Sequence, residues 1–82
     1  MTEAKTNILV QQKEISIFRT TISDENEIQS VANILNLIVG KGKWNVDLED
    51  IDNILRIDAN TMVNAFLAKE LEKLGFECEE LF

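Results

Sequence analysis

The chain has 82 residues, room for one modest hydrophobic core. Its 15 Asp and Glu against 8 Lys and Arg leave a formal charge of −7. That balance argues against a basic surface able to grip nucleic-acid phosphates or an anionic membrane. There is no histidine and one cysteine, Cys78, which excludes imidazole catalysis, an internal disulfide and a thiolate metal cage.

Residues 1–12 read as an N-terminal extension. Ile8-Leu9-Val10 within it is apolar enough to add a short strand, to lie across the open sheet face or to support self-association. The first residues lack the basic start and apolar run of a signal peptide. The run Leu37-Ile38-Val39 is far too short to span a bilayer. A cytoplasmic location is therefore expected.

Residues 13–82 read as one domain. Lys13 to Thr21 is rich in β-branched and aromatic residues and predicts a strand. Asp24 or Ser23 can cap a following helix, and Glu27, three residues after Asp24, completes a capping-box pattern. Ile28, Val31, Ala32, Leu35 and Ile38 lie on one face of that helix, and Gly40 is placed to end it. Trp44, Val46 and Leu48 alternate with Asn45 and Asp47, as in a half-buried strand. Ile54 to Ile57 returns as its hairpin partner with Leu55 and Ile57 inward. Asp58, Asn60 or Thr61 can cap a second helix carrying Val63, Phe66, Leu67, Leu71 and Leu74, which Gly75 ends. Phe76 to Phe82 reads as a short last strand, with its glutamates blunting the sheet edge.

The order strand-helix-strand-strand-helix-strand predicts an α+β ferredoxin-like sandwich, β-α-β-β-α-β. Four antiparallel strands would carry both helices on one face and leave the other face open. The expected core is Ile15, Ile17, Phe18, Ile22, Ile28, Val31, Leu35, Ile38, Trp44, Val46, Leu55, Ile57, Val63, Phe66, Leu67, Leu71, Leu74 and Phe76. Ile17 and Phe18 are adjacent, so both can point inward only across a bulge.

Residues 13–82 resemble the heavy-metal-associated domain family, the copper chaperones and the small metal-binding domains of copper-transporting ATPases. The resemblance is carried by Phe18-Arg19-Thr20-Thr21-Ile22, by Trp44-Asn45-Val46-Asp47-Leu48 running into Ile54-Leu55-Arg56-Ile57, and by Glu72-Lys73-Leu74-Gly75-Phe76-Glu77. It implies the same ferredoxin-like fold. The family holds Cu(I) on two thiolates in an M-x-C-x-x-C loop after the first strand. On that alignment the methionine position falls on Ile22 and the cysteine positions fall on Asp24 and Glu27. Carboxylates are hard ligands and do not suit Cu(I). The resemblance therefore implies a degenerate member, metallochaperone-like in frame and without the site. It also places Lys73 beside the loop, where it could pair with Asp24 or Glu27.

Asp24, Glu25, Asn26 and Glu27 are oxygen ligands of the kind Ca²⁺ or Mg²⁺ would take, but the EF-hand glycine and the glutamate at the twelfth position are missing. Capping is the simpler reading. Asp47, Glu49, Asp50 and Asp52 read as a solvated turn. No phosphate-cradling loop and no nucleophile-base pair occurs, so catalysis and bound cofactors are not expected. Trp44 and Cys78 read as packing residues, with Glu77 and Glu79 opposing any thiolate at Cys78. The expected role is a non-catalytic protein-interaction module. It would act through its open sheet face, its acidic edge, or the loop bearing Asp24 and Glu27 with Lys73 beside it. Hard-cation binding through Asp24–Glu27, a metal-handling accessory role and homodimerisation are the alternatives.

Overall fold

The computed structural model describes residues 13–81, so the expected contact through Ile8-Leu9-Val10 lies outside the described residues. The elements follow the predicted order: β1 Lys13–Thr20, α1 Glu25–Ile38, β2 Trp44–Asp47, β3 Ile54–Asn60, α2 Thr61–Lys73 and β4 Cys78–Leu81. The strands form one antiparallel sheet in the order β2-β3-β1-β4. Both helices cover the same face, as in a ferredoxin-like fold. β2 stops one residue before Leu48, and β3 runs on to Asn60, which caps α2 by accepting the Val63 N–H at 2.8 Å.

The register fixes what faces the helices. Ser16 lies opposite Ile57, Phe18 opposite Leu55 and Thr20 opposite Cys78. Ser16, Phe18 and Thr20 are therefore buried. Ile15 and Ile17, expected in the core, belong to the other face, and Ile15 is 50% exposed. The alternation of a strand admits only one of Ile17 and Phe18, and the hydroxyls beside Phe18 decide the matter. Ser16 Oγ accepts from Asn64 Nδ2 at 2.8 Å. Thr20 Oγ1 donates to the Asn53 carbonyl at 2.6 Å and accepts the Ile22 N–H at 3.1 Å. Hydroxyls satisfied in this way are inexpensive to bury.

The core is Phe18, Ile22, Val31, Leu35, Leu55, Ile57, Leu67, Ala68 and Leu71. Ile28, Ile34, Val39, Trp44, Val46, Val63, Phe76 and Cys78 pack against it. Three expected members, Ile38, Phe66 and Leu74, are exposed. In α2 the buried stripe is Asn64, Leu67, Ala68 and Leu71, spaced i, i+3, i+4 and i+7. Its first member is polar, so a stripe drawn from apolar residues alone is rotated toward Phe66. Asn64 is fully buried and its Nδ2 reaches Ser16 Oγ and the Ile57 and Ala59 carbonyls, joining α2 to β1 and β3. Ile34 of α1 and Val39, which caps it, pack against the core where Ile38 was expected.

α2 ends in a Schellman turn. The Gly75 N–H bonds the Glu72 carbonyl at 3.0 Å and the Phe76 N–H bonds the Leu71 carbonyl at 3.1 Å. Gly75 has φ +103, a left-handed value that glycine adopts without strain. Phe76 then turns inward against the core.

Candidate functional site

Two regions bear on function: the loop between β1 and α1, and the sheet face that no helix covers. The loop is held from three sides. Ile22 is fully buried beneath it. The Thr20 N–H bonds the Asp52 carbonyl at 3.1 Å, and the Thr21 N–H bonds the Glu77 carbonyl at 3.2 Å. The Glu77 N–H in turn donates to Thr21 Oγ1 at 2.9 Å.

Within this frame the carboxylates of Asp24 and Glu27 turn to the helix terminus. Asp24 is the N-cap, and its Oδ1 accepts the Glu27 N–H at 2.8 Å. Glu27 reaches back, and its Oε1 accepts both the Ser23 N–H at 2.7 Å and the Ser23 hydroxyl at 3.0 Å. This is a reciprocal cap displaced by one residue, with Ser23 in place of Asp24 as the receiver. Glu25 and Asn26 are exposed at the start of α1, where a negative charge such as that of Glu25 meets the positive helix end. Among the described residues no three His, Cys, Asp or Glu side chains are grouped to hold a metal ion. The oxygen donors at positions 24 and 27 do not fit the soft ion that the resemblance implies.

Lys73 does not close on this loop. Its ammonium pairs with Glu70 at 3.1 Å, one turn back on α2. A lysine at the last helical turn finds an i−3 carboxylate without crossing solvent, which is why the expected pairing with Asp24 or Glu27 is absent.

The acidic hairpin is a set of local turns. Asp47 Oδ1 accepts the Glu49 N–H at 2.9 Å and Asp50 Oδ1 accepts the Asp52 N–H at 2.8 Å. Trp44 donates its indole N–H to Asn36 Oδ1 at 2.7 Å and packs against the core. Cys78 is half-buried, and its thiol is pushed up to about 11, by burial first and by the charge of Glu72 second. Glu77 and Glu79, its neighbours in sequence, are not the cause; Glu72 comes from α2.

The open face follows from strand parity. Across the sheet, Asn45 pairs with Arg56, Arg56 with Ile17, and Ile17 with Leu81. The next row is Asp47, Ile54, Arg19 and Glu79. On the other side Asp58 pairs with Ile15, and the Asp58 N–H bonds the Lys43 carbonyl at 2.8 Å. Ile17 and Ile54 thus flank Arg56 together with Asn45 and Asp58, and Ile15 and Leu81 lie beyond them on the same face. The two arginines of the face differ in kind. Arg19 is held by Glu79 at 3.1 Å and by Asp52 at 3.6 Å. Arg56 is exposed and takes part in no ion pair among the described residues.

The placement of Arg56 was implicit in the sequence. Once Leu55 and Ile57 face inward, Arg56 and Asp58 must face out, and Asn45, paired with Arg56, shares their side. No family model matches the chain, and neither a curated protein nor a solved structure does.

Proposed function

We propose that the chain is a non-catalytic protein-interaction module, a degenerate relative of the metallochaperone-like domains, whose open sheet face receives a protein partner. One observation carries the reading. The face that no described element covers sets Ile17 and Ile54 beside an exposed Arg56, with Ile15 and Leu81 beyond them, and that arginine lacks an ion-pair partner among the described residues. Apolar residues beside an exposed arginine match the composition of an interface centre. The capping geometry at Asp24 and Glu27 supports placing the interaction on the sheet and away from the family's metal loop.

The test is crosslinking in cells with a photoreactive residue at position 17, on the open face, or at position 29, on the exposed side of α1. A discrete product from position 17 alone, lost when Ile15→Glu is added, is the expected result. Ile15 is half exposed, so that charge perturbs the face with little effect on folding. Identical products from both positions would overturn the reading. A product twice the mass of the chain would identify a second copy as the occupant and a homodimer as the functional form.

A further inference from the structure

At the β2 corner of the open face lies a shallow pocket of about 80 Å³ lined by Ile15, Gly42, Lys43, Trp44, Asn45, Arg56 and Asp58. Ligand pockets that enclose a whole small molecule run from about 300 to 1,000 Å³. A pocket this small holds one functional group and leaves the rest of its bearer outside. Its character is opposite to that of the protein. The chain carries −7 overall, yet two cations, Lys43 and Arg56, line the pocket against one carboxylate, Asp58. No ion pair among the described residues includes Lys43 or Arg56. Asp58 is the one carboxylate in the lining, so an arriving anion meets a net positive surface.

We propose that this pocket binds a carboxylate presented by the protein partner, specifically a chain-terminal carboxylate whose last side chain is apolar. The inference rests on the reading of the open face as partner-facing and names the chemistry recognised there. Three features select this group. The guanidinium of Arg56 offers a planar fork of N–H donors matched to a carboxylate, and the Lys43 ammonium adds a point charge beside it. The Asn45 side-chain amide, which no described group engages, supplies a further donor. Asp58 leaves the lining with one net positive charge, which suits a monoanion and disfavours a phosphate dianion. Ile15 lines the pocket and Ile17 and Leu81 continue from it across the sheet, so the residue bearing the carboxylate meets apolar surface at once. Capture of a chain end is one of the recurring modes of peptide recognition.

The experiment is an amide NMR titration of the full chain with N-acetyl-leucine, with N-acetyl-leucinamide and with inorganic phosphate, at matched ionic strength. Expected are saturable shifts at Gly42, Lys43, Asn45 and Arg56 with the acid, and at least tenfold weaker binding of the amide and of phosphate. Arg56→Gln and Lys43→Gln should each weaken the acid at least tenfold while leaving the rest of the spectrum in place, since Arg56 is exposed and Lys43 only half-buried. No saturation with the acid, equal binding of the amide or phosphate, or unchanged binding by Arg56→Gln would each overturn the proposal. The two readings fail separately. If crosslinking at position 17 persists in Arg56→Gln and the acid does not bind, only the carboxylate assignment falls. If the acid binds and no crosslink forms, the partner reading falls.

Discussion

Replacing Asp24 by alanine separates a helix cap from a cation site. The carboxylate accepts the Glu27 N–H at 2.8 Å and lies at the positive end of α1. Loss of an N-cap acceptor costs about 1 kcal/mol, and loss of a charge at that end costs a further 0.3–1 kcal/mol or so. The bond is exposed, which favours the lower part of each range, so Asp24→Ala should destabilise the fold by about 1–1.5 kcal/mol. For a domain of this size that is a fall in Tm of roughly 5–10 °C. Asp24→Asn keeps an acceptor of nearly equal capping strength and removes only the charge, so it should cost about 0.3–0.5 kcal/mol. Urea unfolding followed by circular dichroism, for both variants and the wild type, reads these values. Each titration is repeated with chelator and with millimolar Ca²⁺ or Mg²⁺. A cation bound to the native state must raise stability by mass action. A cap predicts curves that coincide with and without the ion. The reasoning is refuted if Asp24→Ala is neutral, or if the ion stabilises the wild type and Asp24→Asn abolishes that gain.

Asn64→Ala removes the buried amide that reaches Ser16 Oγ and two β3 carbonyls and leaves a void, so it should cost about 2–4 kcal/mol in the same assay; a cost below about 1 kcal/mol would show that the amide does not join the helix to the sheet. Cys78, pushed up to about 11, should react slowly with a disulfide reagent at pH 8. Its thiolate fraction is roughly 100-fold below that of a thiol at the ordinary value of 9.0, and the greater nucleophilicity of a more basic thiolate returns roughly eightfold, leaving a net slowing of roughly tenfold. Addition of denaturing urea should restore the ordinary rate, and a fast reaction in the native state would contradict the burial. The same displacement sets a pH dependence of stability: a folded-state pKa above the unfolded one means that the contribution is complete below about pH 9 and is lost as pH rises through about 11.

The order of elements was legible because each is specified by local chemistry. Asp24, Asn60, Gly40 and Gly75 mark helix ends through caps and left-handed turns, and these need no distant partner. Leu55 and Ile57 were readable as inward because they alternate with charged Arg56 and Asp58. Position 24 was readable as a cap on the same grounds, since the residue that bonds it is three places away.

What the tertiary structure decided is the set of choices between locally equal alternatives. Ile17 and Phe18 are both apolar, and only the placement of Asn64 and Asn53 against Ser16 and Thr20 turns Phe18 inward and sends Ile15 and Ile17 to the open face. The α2 stripe likewise begins with Asn64, a polar residue whose burial depends on β1 and β3 supplying its partners. Lys73 and Cys78 depended on neighbours in space, Glu70 and Glu72 on α2. The Lys43–Arg56 pocket needs β2 and β3 paired in one register to exist at all. Periodicity and capping are encoded within a few residues of chain, whereas the face a strand presents and the charges that meet there are fixed by contacts across the sheet.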